Sequence, residues 1–182
     1  MTSLNLNKTT ILLQQNKKLF HTQDLALLWQ IGHRPTLRVT ISRYLKKGIL
    51  IPVQRGLYST IPLDQLDPLE LGSSALHAYC YLSTGSILFQ AGIINQPPQA
   101  YTFCSPRSAT FSLAGHHYHS RQLATKYLYH PLGIVDHTTH RQATPERAAA
   151  DLLYFNPSYY LDAPSQLDQT QLSKIQEEVY QQ

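Results

Sequence analysis

The residues best suited to chemistry with a ligand are basic and hydroxyl side chains close together near the start of the chain. Eight of them fall between positions 34 and 55: Arg34, Thr36, Arg38, Ser42, Arg43, Lys46, Lys47 and Arg55. Guanidinium and ammonium groups bind phosphates, and hydroxyls donate to phosphates or to base edges. Such a group is typical of a surface that binds a polyanion.

The distribution of charge supports this interpretation. Residues 1–60 contain nine Lys and Arg against one acid, Asp24, whereas the remaining residues contain six against ten. A basic region of this kind attracts nucleic acid. No stretch pairs these charges with a wide apolar face, and no run of about 18 apolar residues exists. We therefore expect double-stranded DNA as the partner, no membrane, and a cytoplasmic location, since the N-terminus also lacks a secretory pattern.

Three helices and a hairpin are predicted to position the basic residues. The helices are expected near residues 8–15, 22–31 and 35–48, followed by strands at 49–53 and 57–60. Thr22 is suited to cap the second helix, Pro35 to begin the third and Gly48 to end it. Helix, helix, helix, hairpin is the order of a winged helix-turn-helix, whose third helix enters the major groove of DNA while the hairpin reaches the adjacent backbone.

The periodicity of the third helix assigns roles to its residues. Four apolar residues share one side, namely Leu37, Ile41, Tyr44 and Leu45. On the outward side we predict phosphate contacts for Arg43, Lys46 and Lys47, base-edge contacts for Thr36, Arg38 and Ser42, a hairpin-tip contact for Arg55, and a further contact for Arg34. No operator sequence follows from these residues.

The stretch IPLDQLDPLE, residues 61–70, contains two prolines and three acids where the charge changes sign, and predicts a boundary between domains at 1–62 and 63–182. In the second domain we expect helices at 67–81, from Ser83 or Thr84 to Gly92, from Thr144, and from about Gln166. Short antiparallel strands are predicted at 100–105, 109–113, 117–121, 127–130 and 134–140. The fold class is therefore α+β.

The histidines are the main argument for an enzyme. HHYHS places His117 and His119 on one face of a strand, with three more histidines following by position 140. A metal-dependent nuclease or hydrolase is one alternative, but no H-E-x-x-H motif or paired cysteine accompanies them, since Cys80 and Cys104 stand far apart. We expect no enzyme, no metal and no cofactor, and reduced, packed cysteines. A protein-docking adaptor is the other alternative.

The order of several motifs is more specific than any one of them. They are LKKGILIPVQRGLYS, with its Lys-Gly-x-Leu at 47–50 and Arg-Gly-Leu-Tyr at 55–58, then YLSTGSILFQAGII at 81–94 and TPERAAADLL at 144–153. Together, over residues 19–161, they resemble the antitoxin component of abortive-infection type IV toxin–antitoxin systems, the AbiE antitoxin family. The chain stops soon after the last of these motifs.

The resemblance implies a transcriptional autorepressor that binds repeats upstream of its own operon. It also implies a second domain that opposes a nucleotidyltransferase-like toxin, with direct contact to that toxin left open. Glu146, Arg147 and Asp151 of the last motif carry over as a candidate patch, functional or structural, of the second domain. A charged group on one helix most often makes helix-face or capping contacts, so we assign these three residues no catalytic role.

Overall fold

A computed structural model of the chain describes residues 7–181 and has the α+β class. The chain divides into two compact units, the first ending at Asp67 and the second beginning at Pro68. The division lies five residues after the predicted one, within the same Asp- and Pro-containing stretch. Across residues 7–181, no helix has the length and apolar character needed to cross a membrane.

The first unit consists of short helices and a small sheet. Its elements are α1 Lys8–Leu13, β1 Leu19–His21, α2 Thr22–Leu28, α3 Arg34–Lys46, β2 Ile51–Gln54 and β3 Leu57–Ser59, followed by a 3₁₀ turn at Leu63–Gln65. The sheet order is β1-β3-β2 with antiparallel pairing throughout. Strand β1 is absent from the sequence prediction because three residues are too few to show the alternation of apolar and polar residues typical of a strand.

The ends of α2 and α3 follow from a few local contacts. His21, not Thr22, precedes α2, and the Asp24 carboxylate accepts its backbone N–H at 2.9 Å. The Thr22 hydroxyl instead donates to the Gly56 carbonyl, so the predicted cap at Thr22 is wrong. Gly48 ends α3 with a φ of +67°, the left-handed conformation predicted for it.

The core of the first unit lies where the apolar sides of the three helices meet. Trp29 and Tyr44 pack with ring centroids 4.9 Å apart and ring planes tilted by 44°, and the Trp29 indole donates to the Lys8 carbonyl at 3.2 Å. Leu37 and Ile41 are buried, with Tyr44 and Leu45 packed against them, which confirms the predicted inner stripe of α3. The opposite face of α3 is therefore left for solvent.

The second unit alternates helices and strands. Its elements are α4 Pro68–Leu76, β4 Tyr81–Leu82, α5 Gly85–Gln90, β5 Tyr101–Ser105, β6 Ala109–Leu113, β7 His116–Gln122, α6 Thr125–Leu128, β8 Ile134–Asp136, β9 Arg141–Ala143, α7 Pro145–Phe155, a 3₁₀ turn Pro164–Gln166, and α8 Gln169–Ile175, which continues as a π-helical turn at Gln176–Tyr180.

The six strands form one mixed sheet in the order β6-β7-β5-β4-β9-β8. The pairs β5–β7 and β4–β9 are parallel and the others antiparallel, so the prediction of antiparallel strands is wrong for two pairs. The reason is topological. Strand β6 pairs with β7 at the edge of the sheet, which leaves β7 parallel to β5, and β9 returns beside β4 from the end of the β8–β9 hairpin.

Several other predictions for this unit are wrong. The helix expected at 67–81 ends at Leu76, with Tyr81 in β4, and the strand expected at 134–140 ends at Asp136. The aromatic stretch expected as a strand at 127–130 overlaps α6, whose backbone bonds run from Tyr127 and Leu128 to Ala124. Neither Ser83 nor Thr84 caps α5 with its side chain. By contrast, the Thr144 hydroxyl caps α7 by accepting the Arg147 N–H at 3.2 Å, as predicted.

Tyr81, Phe103 and Tyr118 form the centre of the second core. Cys80 and Cys104 are free thiols packed in it, which confirms their predicted state. Burial raises the pKa of the Cys80 thiol to about 12 and that of Cys104 well above its ordinary value. Both thiols are therefore held in the neutral form.

Candidate nucleic-acid interface

All eight residues predicted to contact DNA are exposed. Seven of them lie on α3 or at its C-terminal end, and Arg55 lies in the two-residue turn between β2 and β3. Helix α3 is 13 residues long, about 20 Å, which is enough to present its outward face along several base pairs. The exposed group therefore consists of one helix face and one hairpin turn.

The hairpin turn is fixed beside the helices by backbone bonds. Gly56, at a φ of +82°, directs its carbonyl to the start of α2, where it accepts the Thr22 N–H at 2.9 Å and the Thr22 hydroxyl at 3.3 Å. Arg55 precedes this anchored glycine. The bonds between the Gly56 carbonyl and Thr22, which lies 34 residues earlier in the chain, therefore hold the turn and its Arg55 beside the helices.

A groove of about 330 Å³ lies between α3 and the hairpin turn. It brings together Arg38, Ser42 and Arg55, three of the predicted residues, on a floor that includes Ile41 and Tyr58. Guanidinium groups bind phosphate oxygens in pairs, so two arginines lining one groove give it the charge to bind a phosphate. Arg43, Lys46 and Lys47 do not line this groove and lie further along the helix surface.

A second groove, of about 400 Å³, lies between α2 and the start of α3 and is lined in part by Arg34 and Arg38. Nearby, the Thr36 hydroxyl is hydrogen-bonded to His33 Nδ1 at 2.9 Å. Thr36 therefore already has a partner within the chain, and its predicted base contact would require that bond to be shared or broken.

The electrostatics of the first unit leave its outward cations uncompensated. Lys17 pairs with Asp24 at 2.7 Å, and in the described part of the chain none of the cations of α3 or Arg55 forms an ion pair. Burial acts to raise the Asp24 pKa, but the hydrogen bonds from Lys17 and the His21 N–H outweigh it and place the pKa below its ordinary value. Asp24, the one acid among residues 1–60, is thus held charged next to a lysine outside α3.

The three charged residues carried over from the TPERAAADLL motif do not form a surface patch. Arg147 and Asp151 are fully buried, while Glu146 is half-buried and accepts the Asp168 N–H at 3.4 Å. Arg147 Nε donates to Asp151 Oδ1 at 2.8 Å, one turn along α7. The motif therefore contributes an ion pair to the interior of the second unit.

All five N–H groups of Arg147 have acceptors. Besides Asp151, the guanidinium donates to the carbonyls of Tyr127, His130 and Leu132 and to the Tyr81 hydroxyl, at 2.7 to 3.3 Å. Burial acts to lower the Arg147 pKa, but the charge of Asp151 outweighs it and the pKa lies above its ordinary value. The guanidinium stays charged and fastens the segment after α6 to α7.

The Asp151 carboxylate is equally occupied. Ser83 Oγ donates to Oδ2 at 2.6 Å, the Cys104 thiol lies 3.7 Å from the same oxygen, and the Tyr180 hydroxyl donates to Oδ1. We call Arg147, Asp151, Tyr81, Ser83 and Tyr180 the buried ionic network. Within the described residues no buried side-chain polar atom is left without a partner, so the polar groups of this network are satisfied inside the chain.

The histidines considered as metal ligands are spread over the second unit. His117 and His119 are exposed on β7, and His117 Nδ1 is bonded to Ser112 Oγ at 2.8 Å. His137 and His140 stack with ring centroids 5.1 Å apart in the β8–β9 hairpin. Between residues 7 and 181, no three His, Cys, Asp or Glu side chains are grouped so that they could hold a metal ion.

Sequence reasoning missed the supporting residues of both sites. Thr22, Gly56 and Tyr58 shape the groove beside Arg55, and Tyr81, Ser83 and Tyr180 complete the buried ionic network. The four-residue spacing of Arg147 and Asp151 was a visible signal for their ion pair. Its burial had no local signal, because its partners come from up to 68 residues away.

Comparison with known proteins gives a fold relationship. No protein-family model matches the chain, and no curated protein sequence shows significant similarity to it. Among solved structures, the crystal structure of the RV2827C protein from Mycobacterium tuberculosis is similar, with a TM-score of 0.57 and 14% sequence identity. The similarity covers 94% of this chain and 70% of that one, so the chain shares its overall fold with the mycobacterial protein.

Proposed function

We propose that the first unit is a winged helix-turn-helix domain that binds double-stranded DNA. The observation that carries this proposal is the groove in which Arg38 and Ser42 of α3 meet Arg55 of the hairpin turn. Helix α3 would lie in the major groove, and the hairpin would act as the wing at the neighbouring phosphates. Arg43, Lys46 and Lys47 would extend the phosphate contacts along the backbone.

Charge supports DNA over a protein partner. The outward face of α3 combines cations and hydroxyls with one exposed valine, Val39, while its apolar stripe is used in the core. Protein interfaces are instead depleted of lysine and centred on apolar or aromatic anchors. A cationic surface without acidic compensation favours a polyanion, which releases condensed counterions on binding.

We further propose that the protein represses its own operon as the antitoxin of a type IV toxin–antitoxin system. This part rests on the resemblance of the ordered motifs to AbiE antitoxins. Because Arg147 and Asp151 are buried, any surface that opposes a nucleotidyltransferase-like toxin would be built from other residues of the second unit. Co-expression with a toxin-like neighbouring reading frame tests it: growth rescue is expected, and no rescue by a DNA-binding-competent protein would refute it.

DNA binding is tested by fluorescence anisotropy of the full chain against a duplex from its own upstream region and a shuffled duplex, at about 50 and 200 mM salt. We expect tighter binding to the native duplex and a steep loss of affinity with salt. The double variant Arg43→Ala, Arg55→Ala should bind more weakly, with the salt slope reduced by about 2.

The matched control is Arg107→Ala, Lys126→Ala, which removes the same charge from exposed positions of the second unit. It should keep the wild-type slope. If both double variants lower the slope equally, the effect is one of net charge and the assignment to α3 and the hairpin fails. Salt-insensitive or absent binding by the wild type would overturn the proposal and favour the protein-docking adaptor.

A further inference from the structure

We infer that Val39 contacts thymine methyl groups, so that the DNA preferred by this chain carries thymine beneath the middle of α3. The inference rests on the proposed DNA binding and goes beyond it by naming a base and the residue that reads it. Val39 belongs to the outward face of α3, among the polar residues, and is 50% exposed.

The fold itself gives no reason for valine at this position. Val39 is not among the residues that form or border the core of the first unit. A β-branched residue on an exposed helix face also has a weaker helix propensity than alanine or a long polar residue. An apolar side chain here therefore gives the helix no packing in the core and stands exposed among polar neighbours.

The neighbours of Val39 place it where a base edge would lie. One turn away in either direction are Thr36 and Arg43, and Ser42 lies at the adjacent position toward the hairpin groove. Around the helix axis, Arg38 and Lys47 lie on the two flanks of this face. Cations so placed suit the two phosphate backbones that border the major groove, and the residue between them then faces the bases.

Two threonine hydroxyls of this helix are bonded within the chain, which leaves the Val39 side chain as the apolar group at the centre of this face. Thr36 Oγ1 is bonded to His33 Nδ1, and Thr40 Oγ1 donates to the Thr36 carbonyl, both at 2.9 Å. In the major groove the apolar feature of a base edge is the C5-methyl of thymine. Val39 and a thymine methyl are therefore chemically matched.

The test is a cycle that combines a protein change with a DNA change. Affinities of the full-length wild type and of Val39→Ala are measured by anisotropy for the upstream duplex with thymine and for the same duplex with deoxyuridine at every thymine. Deoxyuridine lacks only the C5-methyl. Val135→Ala is the control, since Val135 is a 43% exposed valine on β8 of the second unit.

For the wild type and for Val135→Ala, we expect deoxyuridine to weaken binding about fourfold per contacted methyl, the factor for burying one such group. For Val39→Ala the thymine-to-deoxyuridine ratio should fall toward one. Any general effect of deoxyuridine on DNA shape is common to all three proteins and cancels in the cycle.

The outcomes separate the two proposals. DNA binding stands if the affinity falls steeply with salt. The thymine contact is overturned if the ratio of affinities for the thymine and deoxyuridine duplexes is the same in Val39→Ala as in the wild type. It is also overturned if that ratio is one in the wild type. Absence of salt-dependent binding to either duplex would overturn both. A circular dichroism melt checks that Val39→Ala retains the wild-type fold, as expected for an exposed position.

Discussion

The two units use the same chemical group in opposite ways. On α3 and the hairpin turn, arginines are exposed, and in the described residues they have no acidic partner. In the second unit, Arg147 is fully buried and every N–H of its guanidinium is bonded inside the chain. An arginine left in water contributes little to folding and remains available to a ligand, whereas one surrounded by acceptors is committed to the fold.

The difference also shows why charge counts alone mislead. The TPERAAADLL motif looks like a charged helix face, yet two of its charges stabilise each other in the interior. The comparison predicts that changes in the buried ionic network affect the free energy of unfolding, and that changes on α3 affect binding. The following experiments test this division in order of their expected effect on stability.

The largest effect is expected for Asp151→Ala. It leaves the buried Arg147 guanidinium without its counter-charge and removes the acceptor of Ser83 and Tyr180, so unfolding should become about 3 to 5 kcal/mol easier. Urea denaturation followed by circular dichroism measures this. Glu146→Gln on the same helix is the control and should change stability by less than about 0.5 kcal/mol. Equal effects of both substitutions would contradict a special role for the buried pair.

A second effect is expected at alkaline pH. Burial raises the pKa of Cys80 to about 12 and that of Cys104 well above its ordinary value, so above about pH 9 the unfolded chain loses protons that the folded chain keeps. The thiols should therefore leave stability unchanged between pH 7 and about 9 and lower it above that, by up to about 1.4 kcal/mol per pH unit for each thiol. Denaturation midpoints at pH 7, 8, 9 and 10 measure this.

The variant Cys80→Ala, Cys104→Ala separates the thiols from other causes. It has no thiol to ionise, so its stability should change much less between pH 9 and 10, whatever its absolute value. If the free energy of unfolding of this variant falls with pH as steeply as that of the wild type, the loss of stability at alkaline pH comes from the buried phenols Tyr81 and Tyr180. Burial also raises the pKa values of these two groups.

A smaller effect is expected for Tyr180→Phe. The substitution removes the hydroxyl that donates to Asp151 but keeps the ring, which packs against Tyr154 and Tyr127. Asp151 keeps Arg147 and Ser83 as partners, so the expected loss is about 1 to 2 kcal/mol, well below that of Asp151→Ala. Thermal melts of Tyr180→Phe beside the conservative exposed control Tyr160→Phe check this ranking.

The smallest effect on stability is expected where the effect on binding is greatest. Arg43→Ala, Arg55→Ala should change the free energy of unfolding by less than about 0.5 kcal/mol, because both side chains are exposed. Trp29, the single tryptophan, lies in the core of the first unit, and its fluorescence reports unfolding there. A large stability loss would mean that these arginines are structural, and would break the contrast between the units.

The parts of the fold that were predictable from sequence are those governed by neighbours along the chain. The inner stripe of α3, the left-handed Gly48 and the Thr144 cap of α7 each depend on contacts within one or two helical turns. Exposure of the basic and hydroxyl residues on α3 followed from its periodicity, and exposure of Arg55 from its place in the hairpin turn. That they contact DNA stays a prediction.

The parts that were not predictable depend on distant partners. The parallel pairing of β4 with β9 joins Leu82 to Gln142, and nothing in either short stretch encodes the other. Residues 127–130 include aromatic side chains typical of strands, but they overlap the end of α6. The Tyr127 and His130 carbonyls in this segment accept hydrogen bonds from Arg147. The groove at Arg55 likewise depends on Thr22, which local reasoning assigned to a helix cap.

The position of β4 in the sheet bears on how the chain acquires its structure during synthesis. This two-residue strand lies between β5, which follows it by about twenty residues, and β9, which follows by sixty. Strand β4 lacks its second neighbour until β9 has emerged from the ribosome. The six-stranded sheet can therefore be completed only after most of the second unit has been synthesised. Such long-range pairing slows folding and leaves strand edges exposed to chaperones and to aggregation in the interval.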